Sequence, residues 1–286
     1  MATGNMKDIK RRIRSVGSTK QITKAMELVS SSKLRRAKQR AETARPYFEA
    51  QYTLLSEIAS VKKDFTTVYT EARPIKRRLF IVIACDRGLA AGYNSNILKA
   101  AVAAHAGDEK NPKIIAIGKK AVEYFEKRDY EMVGSYPYLA ENVKTAHCSD
   151  IARTVTEMFG AGEVDEVVLF YTAFVSALVQ TPEQIKLLPI SDIGAGAGAE
   201  EMTLINYDPS PEAVFNRIVP KFIMSLLKCG VVESYASEQG ARRTAMESAT
   251  DNADQMIADL SLIYNRARQE KITNEINEIV SGANAL

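Results

Sequence analysis

The chain has 286 residues, of which 46% are hydrophobic and 26% charged, enough to bury a real core, and no run approaches the roughly 18 apolar residues of a membrane span. The net charge of +3 is unevenly spread: residues 1–45 hold 13 Lys and Arg against Asp8, Glu27 and Glu42, a balance of +10, and the remainder carries −7. A basic end on an acidic body implies an acidic partner for that end.

Residues ~6–58 and ~209–284 read as long helices, and the stretch between them as alternating strands and helices. In the first helix Ile9, Ile13 and Val16 share a face, which Ile22, Met26 and Val29 resume after a polar turn. Pro46 is expected to bend this helix rather than end it, because the apolar pattern restarts with Phe48, Leu55 and Ile58. Glu71 to Pro74 reads as a linker.

Leu79 to Ala84 is a continuous apolar run of the kind found in a buried parallel strand. Strands are expected at Lys113–Ile117, Tyr130–Val133, Glu166–Tyr171 and Leu178–Leu187, and helices at Asn94–Ala104, Lys119–Arg128 and Ser149–Phe159. This order argues for a mostly parallel, right-handed, Rossmann-like α/β sheet. The Gly-Ala repeat over Gly194 to Ala199 reads as a flexible connector. Beyond it Asp208 is a candidate N-cap with Pro209 at the first helical position.

In the second helix Pro220 is the expected kink, and Gly230 and Gly240 lower its intrinsic stability. Ala253, Ile257, Leu260, Tyr264 and Ala267 form a heptad seam, which Ile272, Ile276, Ile279 and Ala283 continue after a one-residue shift. Helices of this length are unstable alone in water, so the economical arrangement pairs them. The fold class is therefore α/β: a long antiparallel coiled coil of the two terminal helices, with Ala, Ser and Thr on its outer sides, plus the α/β domain at its base. The domains are 1–60, the N-terminal coiled-coil helix; 75–192, the α/β domain; 193–207, a linker and foot; and 208–286, the C-terminal coiled-coil helix.

Asp86 to Asn94 follows the first strand and opens a helix, where phosphate loops occur, but its glycines Gly88 and Gly92 are four apart and fit a tight turn instead. Gly118-Lys119-Lys120 lacks the upstream Gly and the following Ser or Thr of a P-loop. His105 and His147 are the only histidines and lie far apart, and Cys85, Cys148 and Cys229 form no metal or disulfide spacing. Neither an active site, a metal site nor a cofactor site is expected. The cluster Lys33, Arg35, Arg36, Lys38 and Arg40 fits a solvated face, a contact for an acidic protein, or a nucleic-acid stripe. The N-terminus is basic and acid-poor like a transit peptide, but the helical pattern passes unbroken beyond residue 40 and reads as mature structure.

Three blocks carry a resemblance. They are Met6-Lys7-Asp8-Ile9-Lys10 through Ser32-Lys33-Leu34-Arg35-Arg36-Ala37; Asp86-Arg87-Gly88-Leu89 with Asn94; and Ser237-Glu238-Gln239 through Ala249-Thr250-Asp251-Asn252-Ala253, Tyr264-Asn265-Arg266-Ala267-Arg268-Gln269 and Glu278-Ile279-Val280-Ser281-Gly282-Ala283. In this order they closely resemble the gamma-subunit family of F-type ATP synthases. The resemblance implies a non-catalytic rotor shaft inside a ring of alpha and beta subunits, seated on a c-ring with the epsilon subunit alongside. It implies a peripheral location on the cytoplasmic side of a bacterial cell membrane, with membrane association only through the complex. It further implies that Met26, Arg242, Arg268, Gln269 and Thr273 face the alpha/beta ring, and that Tyr207 and Asp208 form a foot on the c-ring. Glu27 stands where many relatives carry Lys. The Gly-Ala repeat stands where the chloroplast form carries a regulatory two-cysteine insertion, so thiol switching by that route is not expected. The alternative, a basic coiled-coil nucleic-acid-binding protein, predicts salt-sensitive retention on duplex DNA.

Overall fold

The computed structural model describes residues 6–60, 66–106, 111–176, 179–190 and 207–284. Its principal elements are α1 (Met6–Ser60), β1 (Arg78–Ile83), α2 (Tyr93–Ala103), β2 (Lys113–Ile117), α3 (Lys119–Glu126), β3 (Met132–Tyr136), α4 (Thr145–Gly160), β4 (Glu166–Phe174), β5 (Gln180–Leu188) and α5 (Pro211–Asn284). The Gly-Ala repeat and the side chain of Phe48 lie outside the described residues. Two units divide the chain, Met1–Ser30 with Arg242–Leu286 and Ser31–Ala241, so each long helix contributes to both.

In the Ser31–Ala241 unit the sheet order is β3-β2-β1-β4-β5. β1 pairs in parallel with β2 and β4, β2 in parallel with β3, and β5 closes the edge antiparallel to β4. The period of two along the central strands sorts their side chains into two cores. Phe80, Val82, Ile114, Ala116, Val168 and Phe170 face α2 and α3 with Ile97, Leu98, Ala121 and Phe125. Leu79, Ile81, Ile83, Ile115, Ile117, Val167 and Leu169 face the other way. That second face is covered by α4 and by parts of both long helices, through Leu34, Ala37, Leu55 and Ile58 of α1 and Phe215, Ile223, Leu227 and Val231 of α5. A sheet needs its second apolar face covered, and here the long helices serve as that layer.

Three expectations are corrected in this unit. Strand β3 runs over Met132–Tyr136 rather than Tyr130–Val133. The Tyr130 amide closes the end of α3 on the Phe125 carbonyl, and its ring packs edge-on against Phe125 and His105. Helix α4 starts at Thr145, four residues before Ser149, which places Cys148 in the core. Helix α5 starts at Pro211, not Pro209, because Ser210 caps it by accepting the Ala213 amide at 3.2 Å.

In the other unit α1 and α5 are antiparallel, with Thr23 beside Thr250 and Lys20 beside Asp254. The buried and half-buried line on α1 starts as expected at Ile9, Ile13 and Val16, but continues through Lys20, Thr23, Met26, Glu27 and Ser30. Ile22 and Val29, expected in the seam, are 61% and 55% exposed. Heptad geometry decides this: residues 9, 16, 23 and 30 repeat every seven positions, so polar residues stay in register while Ile22 and Val29 fall one position off. On α5 the expected line Ala253, Ile257, Leu260, Tyr264 and Ala267 is buried or half-buried. Its expected continuation through Ile272, Ile276 and Ile279 is exposed, as is Ala283. From the Thr23–Thr250 pair, the first residue of α1 reaches only to about residue 267 of α5. The last turns of α5 have no companion helix among the described residues.

Candidate functional site

The turn after β1 is held by side chains. Asp86 accepts the backbone amides of Lys119 at 2.8 Å and Tyr138 at 2.7 Å, tying three strand ends together. Asn94 accepts the Cys85 amide at 3.0 Å and donates to its sulfur. The left-handed backbone expected of glycine falls on Leu89 (φ 65°) and Ala91 (φ 46°), whereas Gly88 and Gly92 avoid it. Gly118 does require its glycine: φ is 92°, and an added Cβ would stand 2.0 Å from the Ala84 carbonyl oxygen.

This turn reaches α5 within the Ser31–Ala241 unit. The Tyr93 hydroxyl donates to the Ser234 carbonyl at 3.0 Å, and burial pushes its ionisation far above the ordinary tyrosine range. Ser234 Oγ accepts the Thr172 amide at 3.0 Å, and Ser237 Oγ donates to the Thr172 carbonyl at 3.1 Å. The mid-chain block and the start of the C-terminal block, over 140 residues apart in sequence, therefore form one hydrogen-bonded junction. Sequence reasoning missed Tyr93, Thr172 and Ser234, because no local pattern marks a hydroxyl that bonds across so long a separation.

The coiled-coil unit offers a different kind of surface. Its seam holds a buried Thr23–Thr250 hydroxyl pair at 2.8 Å, with Thr250 also donating to the Met246 carbonyl at 2.8 Å. Its outside is not only small and polar, as expected from sequence. Ile22, Leu28 and Val29 on α1 and Leu262, Ile263, Ile272, Ile276, Ile279 and Val280 on α5 are all 47% exposed or more. So many large apolar side chains exposed on two helices are the kind of surface on which proteins interact.

The expected partner-facing residues do not form a single site. Met26 is half-buried along the α1 seam and Arg242 is 7% exposed on α5. Arg268, Gln269 and Thr273 are exposed on the last turns of α5, about 27 Å along the helix from Thr250 at 1.5 Å per residue. Tyr207 is half-buried and Asp208 exposed ahead of α5, both in the other unit. Among the described residues no group of three His, Cys, Asp or Glu could hold a metal ion. His105 packs against Phe80 and bonds the Tyr130 hydroxyl at 2.8 Å, and Cys148 is pushed up to about 11 by burial. No described helix is long and apolar enough to cross a membrane.

Residues 5–286 match the family described as ATP synthase. The chain is 50% identical over 282 residues to the ATP synthase gamma chain of Ruminococcus albus, covering 98% of each chain. It is 48% identical to that of Alkaliphilus metalliredigens, again covering 98% of each, and 42% identical to a sodium-ion-specific gamma chain of Acetobacterium woodii, covering 99% of each. Among solved structures, it superposes on a chain of the central stalk and c-ring of Tetrahymena thermophila mitochondrial ATP synthase. The TM-score is 0.60 at 25% identity, over 80% of this chain and 99% of that one. A Euglena gracilis ATP synthase chain shares the fold at a TM-score of 0.69 and 19% identity, over 98% and 94% of the two chains.

Proposed function

The chain belongs to the ATP synthase gamma-chain family, and on that premise we propose how its parts serve a rotor and which residues meet which partners. It is the non-catalytic central-stalk subunit, coupling ion-driven rotation to conformational change at the catalytic beta subunits. The unit of residues 1–30 and 242–286 is the portion that turns within the alpha/beta ring. Residues 75–192 form the base, and Tyr207 and Asp208 the foot that meets the c-ring, with the epsilon subunit beside it. The whole complex sits on the cytoplasmic face of a bacterial cell membrane, and this chain reaches the membrane only through it.

The observation that carries this reading is the terminal stretch of α5, where Ile272, Ile276, Ile279 and Val280 stand exposed with no companion helix among the described residues. A single helix with bare isoleucines is marginal in water and needs a sleeve. Mechanism follows from symmetry. Three chemically equal sites differ in nucleotide affinity only when something without threefold symmetry contacts them unequally. An antiparallel pair of unequal helices supplies that bias as it turns. Arg268, Gln269 and Thr273 on the lone part of α5 are the polar contacts, and Met26 and Arg242 act on the two-helix part.

The basic residues of 33–40 do not present a uniform stripe for nucleic acid: Lys33 pairs with Glu141 and Lys38 lies 4.8 Å over the Phe174 ring. Co-expression with cognate alpha and beta subunits should give complexes with one copy of this chain per six others, and ATP should rotate a marker on its base. Assembly of alpha and beta that excludes the chain would overturn the proposal. Arg268→Ala should lower coupling or assembly, in a salt-sensitive way, with helix content unchanged by circular dichroism.

A further inference from the structure

Within the Ser31–Ala241 unit α5 is held to the sheet mainly by apolar side chains, and at one place by something more directional. Thr172 of β4 stands two residues past Phe170, the last residue of that strand that β1 pairs, so it lies beyond the β1 ladder. On β5 it faces Pro182, which has no amide hydrogen to give. Two serines of α5 supply what the strands do not. Ser234 Oγ accepts the Thr172 amide at 3.0 Å, and Ser237 Oγ donates to the Thr172 carbonyl at 3.1 Å. The Tyr93 hydroxyl adds a bond to the Ser234 carbonyl at 3.0 Å. Thr172, Ser234 and Ser237 are 2%, 1% and 0% exposed, so water cannot replace these partners.

The helix comes this close because Gly230, one turn earlier on the same face, has no side chain. An added Cβ there would stand 3.2 Å from Leu169 and 3.5 Å from Ile83 of the sheet. Two short hydroxyls, about 4.5 Å apart along the helix axis, then bracket one strand residue, one taking its N–H and the other serving its C=O. Apolar burial is non-directional and tolerates small rotations of a helix about its own axis. The serine pair does not: a slip of one residue turns α5 by about 100° and moves it about 1.5 Å. Both bonds then break together and leave the Thr172 amide and carbonyl buried without partners.

On the rotor reading, on which this inference rests, torque enters at the base and leaves through α5, which runs on from this unit into the other. The joint between sheet and α5 is where that load twists the helix against the base. We propose that Thr172, Ser234 and Ser237 form a rotational lock, in which the two serines are positioning residues that hold the angle of α5 against the sheet under load.

The test uses the complex assembled with alpha and beta subunits, immobilised through the ring, with a bead on the base at the exposed Lys99. The thermal angular spread of the bead during a pause in ATP hydrolysis reports the torsional stiffness between base and ring. Ser234→Ala with Ser237→Ala should raise the angular variance about twofold or more, and each single substitution by less. Ile97→Val lies in a core cluster with no α5 member among the described residues. It lowers stability but should leave the variance as in the parent, which separates a lock from a general softening of the fold. Unchanged variance in the double variant, or an equal rise in Ile97→Val, would overturn the proposal. If the double variant does not assemble, Ser237→Ala alone is read the same way, and parent-like variance there overturns the proposal equally. A parent chain that fails to assemble or rotate would remove the rotor reading and this inference with it, whereas a rotating parent with equally stiff variants removes only the lock.

Discussion

The same two helices behave differently in the two units. Between Ile223 and Ala241 α5 is buried or half-buried at every position, its residues sharing the sheet's core. In Arg242–Leu286 the same helix buries, among the described residues, only Arg242, Met246, Thr250, Ala253 and Leu260, and leaves Leu262, Ile263 and four later aliphatic residues more than 45% exposed. Burial is what stabilises a helix in a protein, because propensity alone leaves it marginal. The Ser31–Ala241 unit therefore carries its own stability, whereas the coiled-coil unit leaves apolar surface exposed that, on the proposed reading, its partners would cover. Substitutions in the first should register in folding, and substitutions on the outside of the second in assembly.

The sharpest way to break that contrast is Gly118→Ala. With φ at 92° and the Ala84 carbonyl 2.0 Å from the new Cβ, backbone must shift at the junction of β1, β2 and α3. The expected loss is about 3 kcal/mol or more, read from urea denaturation of the full chain. A loss below about 1 kcal/mol would mean that this core yields more easily than its burial implies. Next is Tyr93→Phe, which keeps the ring and deletes the buried hydroxyl bonded to Ser234. About 1 to 2 kcal/mol should go, since the neighbouring polar groups lose a partner that water cannot replace.

The sequence displays some of this plainly and hides the rest. Leu79–Ala84 and Lys113–Ile117 announce buried parallel strands because both faces of the sheet are covered and the runs are apolar throughout. The seam at Ala253 to Ala267 is legible because its residues are apolar at heptad spacing. The α1 seam is not, because Lys20, Thr23, Glu27 and Ser30 occupy heptad positions that apolar patterning cannot reveal. Tyr130 misleads in the other direction, since β-propensity suggests a strand where the residue in fact closes a helix.

Smaller effects sharpen the contrast within the coil. Thr23→Val alone should cost about 1 kcal/mol by removing the hydroxyl that pairs with Thr250 and setting a methyl against it, while Thr23→Val with Thr250→Val should return close to the original stability. Equal losses in the single and double variants, measured by thermal melting, would show that the hydroxyl pair is not the coupled unit that its 2.8 Å separation indicates. For Glu141 the hydrogen bond from the Lys33 ammonium holds the carboxyl below its ordinary range. Its folded-state value is thus lower than its unfolded one. The stabilisation is fully present above the ordinary carboxylate range and fades as pH falls through the folded value. Since the carboxylate is 52% exposed, solvent screening limits it to a few tenths of a kcal/mol. Glu141→Gln should therefore lose that much at pH 7 and progressively less as pH falls below the ordinary carboxylate range.

The smallest expected change in folding belongs to Ile276→Asp, and it tests the comparison most directly. Ile276 is 54% exposed on a stretch of α5 without a companion helix among the described residues, so an aspartate there gives up no buried contact. Denaturation midpoints should agree with the parent within about 0.5 kcal/mol. In the complex the same side chain would have to enter a sleeve that encloses the helix, where an unpaired carboxylate meets a desolvation penalty. Yield of the assembled complex with alpha and beta subunits, or its ATP-driven rotation, should fall sharply while the free chain melts as before. Equal assembly by the variant would mean that these isoleucines face solvent in the complex as well, and the assignment of this stretch to the ring would have to be abandoned.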